Sequence, residues 1–270
     1  MEQSYFLSLF EIIKIKMKKI HNLNNIPENL KSLGNIIDTH ISKLKSDELK
    51  NHKKIVEVCH VGKFLMNLDN TASIEEVCEV PDFLIKYKGN VIGIEHQTIV
   101  DSNDKSYEGF FQNIFTHAEE ELKKDNSIPK VLVNCWLHPR IQYKMNQKDD
   151  FINQIIKLIT EYTKSEILND NPIIQDAYMM PHSELCLSPN FGAWWQKFLD
   201  NQTLQKAIDN KEKRLDEYKK TIEEVWLLIV IGGVDASSYQ INSSELYEIN
   251  SNFDKIFLME DYYNNLYQLK

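Results

Sequence analysis

Two carboxylates, Asp82 and Glu95, stand on either side of a short turn in the segment Val80-Pro81-Asp82-Phe83-Leu84-Ile85-Lys86-Tyr87-Lys88-Gly89-Asn90-Val91-Ile92-Gly93-Ile94-Glu95-His96-Gln97. Residues 83–88 and 91–94 are rich in Phe, Ile, Val and Tyr, and Lys88-Gly89-Asn90 supplies turn chemistry, so the spacing predicts a β-hairpin. Side chains alternate along a strand. Asp82, Leu84 and Lys86 therefore share one face of the first strand, Glu95 and Gln97 share one face of the second, and His96 points the other way. A hairpin that brings those faces together makes two anionic oxygen donors converge. A hard divalent cation such as Mg²⁺ binds such a pair while keeping several waters.

Other chemistries lack their anchors. The chain has no GxGxxG or GxxxxGK[ST] phosphate loop, and its eight histidines show no HExxH or paired spacing that would ligate zinc. There is no GxSxG nucleophile elbow, and Cys135 near His138 lacks a third partner to orient it. His96 could serve as a base, but alternation turns it from Glu95, so it reads as a packed or hydrogen-bonded histidine. The four cysteines, Cys59, Cys78, Cys135 and Cys186, lie far apart, which points to reduced thiols in a cytoplasmic setting. Tyr5–Ile20 is apolar, but its lysines follow the first apolar residues and Glu11 interrupts it, so it reads as neither a secretory signal nor a membrane span. A net charge of −9 argues against a broad non-specific nucleic-acid surface, although carboxylates at a metal site count towards that total. The lysine clusters 14–19, 50–54 and 211–220 read as solvated helix faces.

The elements that would position the carboxylates are legible in part. Leu30, Leu33, Ile37, Ile41 and Leu44 recur at helical spacing after Pro27. Ser46 offers an N-cap for a second helix through Ile55, Val58 and Cys59 to Leu68, ended by Asp69-Asn70. Glu57 lies on that helix; Glu75, Glu76 and Glu79 read as solvated acids. Residues 107–124 are predicted helical, 130–137 (VLVNCWL at its core) a buried strand reached by a parallel crossover, and 150–163 a helix covering one face of the sheet. Residues 164–200 read as an insertion, with strands at 173–180 and 185–188 and a Trp194-Trp195 pair that packs inside, with stacking on bases as the other reading. Leu204, Ile208, Lys211, Leu215 and Tyr218 form one helical stripe before the apolar strand 225–231. Lys211 on that stripe either snorkels outward or reaches a charged site, whereas Lys213 faces water. Residues 253–259 form the last strand. With 270 residues, 42% of them apolar, and no linker or repeat, the chain reads as one α/β domain.

The segment PDF…GIEHQ resembles the PD-(D/E)xK nuclease superfamily, the restriction-endonuclease-like phosphodiesterases, whose signature is Pro-Asp on one strand and Glu-x-Lys on the next. The resemblance covers residues 55–100. It implies an α/β fold with a restriction-endonuclease-like mixed sheet flanked by helices, here with an N-terminal helical extension (1–45), a core carrying the metal-site hairpin (46–140), a helix and insertion (141–200) and a helix with closing strands (201–270). It implies that Asp82 and Glu95 bind Mg²⁺, for which Mn²⁺ can substitute, with the backbone carbonyl of His96 completing the sphere. It makes Glu57 the candidate for the extra acid that the preceding helix often carries, with an ordinary exposed glutamate as the other reading. Gln97 stands where the family has lysine, a departure that some members share and that others compensate with a lysine from a neighbouring helix, for which Lys211 is the candidate here. The implied activity is hydrolysis of phosphodiester bonds in nucleic acid, DNA over RNA, by water attacking phosphorus in line, with Gln97 positioning the water. A nuclease without a companion domain suits phage defence or a mobile element. A nuclease fold kept for binding or assembly without turnover is the alternative, and an unrelated α/β interaction protein a third; a homodimer or a protein partner stays open.

Overall fold

The computed structural model describes residues 16–19, 26–69, 71–191, 196–242 and 247–270. Its first elements are β1 (Lys16–Lys19), α1 (Ile26–Leu44), α2 (Glu48–Leu68), β2 (Ser73–Val77), β3 (Phe83–Tyr87) and β4 (Asn90–Thr98). Then come α3 (Ser102–Leu122), β5 (Val131–Leu137), α4 (Lys148–Ser165), β6 (Ile174–Pro181) and β7 (Cys186–Asn190). The rest are β8 (Lys197–Phe198), α5 (Asn201–Glu212), α6 (Leu215–Tyr218), β9 (Val225–Ile231), β10 (Tyr239–Gln240), β11 (Lys255–Glu260) and β12 (Asn265–Gln268). No helix among the described residues is long and apolar enough to cross a membrane.

Where the lack of a linker suggests one domain, the chain divides into two compact units, one of residues up to Ile99 with Lys197–Gly233 and Tyr239–Lys270, the other of Val100–Gln196 with Val234–Ser238. The first unit holds a mixed seven-stranded sheet in the order β1-β12-β11-β9-β4-β3-β2. Lys88 (φ 51°) and Gly89 (φ 87°) make the tight β3–β4 turn, with both central residues left-handed as a twisted two-residue hairpin requires. β4 then runs parallel to β9, and β9 parallel to β11.

All seven residues of β9 are buried, and the reason is visible in its alternation. Trp226, Leu228 and Val230 pack with Ile37 of α1 and with Val58, Val61, Phe64 and Leu65 of α2. Val225, Leu227, Ile229 and Ile231 pack on the opposite face with Leu204 and Ile208 of α5 and with Leu215 and Tyr218 of α6. A strand apolar on both faces must sit centrally between helices. Each such buried side chain contributes roughly 1.5–3 kcal/mol.

The second unit has its own core. Its three-stranded sheet, β6-β5-β7, is covered by α3 and α4 through Phe111, Ile114, Phe115, Phe151, Ile155 and Ile159. The Glu108 carboxylate ties residues 234–238 to α3, accepting from the Ser237 amide (2.7 Å) and hydroxyl (2.6 Å).

Several expectations are corrected. The strand at 131–137 does not follow β4 in the main sheet; only alternate residues of β5 are fully buried, which suits a sheet covered on one side, whereas β9, β4's inner neighbour, is apolar on both faces. Accordingly α4 covers the small sheet, and the second unit begins at Val100, well before the expected insertion. Within the expected N-terminal helical extension, Lys16–Lys19 form an edge strand on β12, and α1 packs into the first unit. Leu30 is 62% exposed, off the buried face of α1. Asp47, not Ser46, caps α2, and it does so without a side-chain bond. The stripe 204–218 belongs to two helices, broken at Lys213-Arg214. β2 and β12 are strands that the alternation of their residues does not announce, while Glu75, Glu76 and Glu79 are solvent-facing acids, none of them fully buried. Trp194-Trp195 lies outside the described residues.

Candidate active site

Register places the carboxylates together. Phe83 pairs with Ile94, so Asp82, one residue before β3, lies across from Glu95. The Asp82 amide donates to Glu95 Oε1 (3.2 Å), and the His96 amide donates to Asp82 Oδ2 (2.8 Å). Along β4 the amides of Gly93 and Ile99 donate to β9 and the residue before it, so the backbone of His96, between them and of opposite parity, faces the β3 side. The His96 carbonyl therefore shares that edge with Asp82.

Glu95 pairs with Leu227, which fixes it on the face covered by α5. From that helix the Lys211 ammonium donates to Glu95 Oε2 (2.7 Å) and to Asp82 Oδ2 (3.4 Å). A lysine on the apolar stripe of Ile208 and Leu215 has thus reached the charged site. Glu95 itself is 1% exposed. A second ammonium, Lys54 of α2, stands 3.7 Å from Asp82 Oδ1 and 3.2 Å from Glu57 Oε2, and donates to the Cys78 carbonyl (3.2 Å). Glu57, mostly buried, pairs with Lys53 and Lys54, so Lys54 stands between it and Asp82. Gln97 lies on the Glu95 face, with its amide nitrogen donating to the Thr98 carbonyl (2.8 Å).

Burial pushes the Asp82 carboxyl up, but the His96 amide and the Lys211 and Lys54 ammonium groups outweigh it and hold Asp82 below the usual range. For Glu95, burial and then the neighbouring Asp82 charge win over Lys211, and its pKa is raised. Burial alone would lower Lys211; its hydrogen bond to Glu95 and the two carboxylate charges raise it instead, so it stays charged. Asp82 and Glu95 together outweigh the single charge of Lys211, while Lys54 divides its own between Asp82 and Glu57. With Lys53 on Glu57, the three carboxylates and three ammonium groups balance in number, but buried Glu95 has Lys211 alone as its ammonium partner.

The other face of β4 carries a separate cluster. His96 stacks on His60 of α2 (ring centroids 5.2 Å apart), with His60 Nδ1 and His96 Nε2 sharing a 3.0 Å hydrogen bond. His60 Nε2 lies 3.7 Å from Asp261, which accepts from Lys63 at 2.6 Å. Burial, and next the neighbouring His60, push His96 down to about 3; burial also lowers His60. These are neutral rings that brace β4 from behind, in agreement with the expectation that His96 turns from Glu95.

Residues missed in the sequence are Lys54, Tyr218, His60 and Asp261. Lys54 sits in a lysine cluster that reads as a solvated helix face, yet it falls on the same helical stripe as buried Val58 and Val61, and its side chain is 19% exposed against 92% for Lys53. The Tyr218 hydroxyl is buried beside Glu95, near enough to act on that carboxyl's pKa but outside hydrogen-bonding geometry with any partner.

No cluster of three or more His, Cys, Asp or Glu side chains among the described residues could hold a metal ion. The donor set at the hairpin is two carboxylates and a backbone carbonyl. Such hard oxygens, few in number, fit a cation that retains most of its water and do not fit zinc. Comparison of the chain with protein-family models, with curated proteins and with solved structures finds no match in any of the three.

Proposed function

We propose that this chain is a divalent-metal-dependent phosphodiesterase of the restriction-endonuclease-like class, acting on nucleic acid and on DNA before RNA. The observation that carries the reading is the reach of Lys211 from α5 to both Asp82 and Glu95, since a Pro-Asp/Glu hairpin lacking its strand lysine needs a positive charge from elsewhere. Also in its favour are the mixed sheet flanked by helices and the raised pKa of Glu95, a carboxylate both buried and set beside a second carboxylate.

Asp82, Glu95 and the His96 carbonyl would hold Mg²⁺ or Mn²⁺. When bound, the cation supplies Lewis-acid polarisation of the phosphoryl group and neutralises charge as water attacks. Lys211 stabilises the added negative charge on the phosphorane oxygens, a role for which its raised pKa keeps it protonated. The His96 amide, then Lys211 and Lys54, hold Asp82 ionised, and Gln97 orients water by hydrogen bonding. Cleavage of plasmid and single-stranded DNA with Mg²⁺, Mn²⁺ or chelator tests the reading. Asp82→Ala and Glu95→Ala should each lower turnover by about 10²-fold or more while leaving the fold intact. Cleavage that persists in both variants, or in excess chelator, means that the chemistry lies elsewhere.

One observation favours a second reading, a nuclease fold retained for binding or assembly. Both oxygens of Glu95 and Oδ2 of Asp82 already accept a hydrogen bond, and Asp82 Oδ1 faces Lys54. Nucleic-acid binding without cleavage in any metal would select it.

A further inference from the structure

We propose that the Lys211 ammonium occupies the cation position of this site, that metal entry requires it to swing away, and that the Tyr218 hydroxyl then takes its place on Glu95. This inference rests on the metal reading above. The ammonium lies 2.7 Å from Glu95 Oε2 and 3.4 Å from Asp82 Oδ2, between the two carboxylates that would hold the cation. A cation of Mg²⁺ size sits at about 2.0–2.1 Å from each oxygen ligand, in the same space. Two cations cannot share it, because neither the geometry nor the repulsion of like charges at that range allows both.

The displacement needs no movement of the helix. Lys211 is in the last turn of α5, its carbonyl held by the Arg214 amide (3.2 Å), and a lysine side chain reaches new partners by rotation alone. An anionic phosphate oxygen offers the released ammonium such a partner, so metal and phosphodiester favour one another's binding. The swing also takes a donor from Glu95 Oε2. Tyr218 is fully buried next to that carboxylate, its hydroxyl close enough to act on Glu95 but outside the geometry of a full hydrogen bond. A buried hydroxyl so poorly paired is costly, and a state in which it donates fully to Glu95 relieves that cost. The fold therefore holds a closed state, with Lys211 in place, and an open one, with metal bound and Tyr218 engaged.

Calorimetric titration of the full chain with Mn²⁺, without nucleic acid, decides the matter. Lys211→Met and the more conservative Lys211→Gln should bind Mn²⁺ about tenfold or more tighter than wild type, because a like charge at ion-pair range has been removed. Both should cleave more slowly. Lys213→Met, whose parent side chain is exposed and bonds only Asn210, should match wild type in both respects. Tyr218→Phe should weaken Mn²⁺ binding severalfold, and the same change made on Lys211→Gln should cost as much again. Equal or weaker Mn²⁺ binding by the two Lys211 variants overturns the proposal. Absence of Mn²⁺ binding from wild type and both variants overturns it together with the metal reading. Mn²⁺ binding without cleavage by wild type rejects only the nuclease assignment, and the order of the affinities still decides the role of Lys211.

Discussion

An ammonium held between two carboxylates leaves a charge balance that a cation or a phosphate can upset, and substitution of single residues exposes it. Lys211→Ala should lower turnover far more than Lys213→Ala, since only the former side chain touches Asp82 and Glu95; initial cleavage rates for the two variants check this. Gln97→Lys in the Lys211→Ala background should recover part of the loss, because the site needs a positive charge and not a particular point of attachment. Behind the strand, the His60–His96 pair makes a prediction about pH. Both pKa values are depressed in the folded protein, His96 to about 3, so unfolded chains take up protons near pH 6.5 that the native state refuses. Stability is therefore greatest above the unfolded value and is lost as pH falls through the window down to the folded ones. The slope is up to about 1.4 kcal/mol per pH unit for each histidine. Urea midpoints at pH 7.5 and pH 5 should converge in His96→Gln relative to wild type.

At the scale of elements, the position of Asp82 depends on how closely the chain before β3 approaches β4. A Cβ on Gly93 would meet Pro81 Cγ at 2.9 Å and Ile222 Cγ2 at 3.4 Å, so no side chain fits there without moving the residue next to Asp82. Gly93→Ala should cost about 1–3 kcal/mol in thermal or urea unfolding and weaken Mn²⁺ binding, although it adds no charge. Gly109, inside α3, is the contrast, since a methyl added there would meet nothing within 4 Å. Gly109→Ala should stabilise by about 0.5–1 kcal/mol and leave metal binding alone. The difference between the two separates close packing at the hairpin from the general preference of helices for alanine.

At the scale of the molecule, the two units draw on cores that have no buried residue in common. Truncating Phe111, fully buried between α3 and α4, should cost about 3–5 kcal/mol in the second unit. Hydrogen exchange should then quicken through α3, β5 and α4, while the amides of β4 and β9 keep their protection. Loss of protection throughout both units would show that the two cores fold as one cooperative body.

The β3–β4 hairpin, the opposed faces of Glu95 and His96, the helices α1 to α5 and the all-apolar β9 were readable from the sequence by itself, because turn chemistry and side-chain periodicity act between residues a few positions apart. The Lys211 stripe was readable too, as a lysine on a buried face with its destination open. Only the tertiary structure decided that β9, and not β5, lies against β4. Both are apolar runs of ordinary strand length, and pairing depends on which faces the helices cover and on loops long enough to close either way. The same limit hid the residues that converge from afar: Lys211 meets Glu95 across 116 positions, and Lys63 meets Asp261 across 198. Lys54 stayed hidden for a subtler reason, since its stripe is shared with Val58 and Val61 but its neighbours Lys50 and Lys53 give the segment the look of a solvated face. Charge that is local in space need not be local in the chain, and a side chain's partner is set by the fold that brings it there.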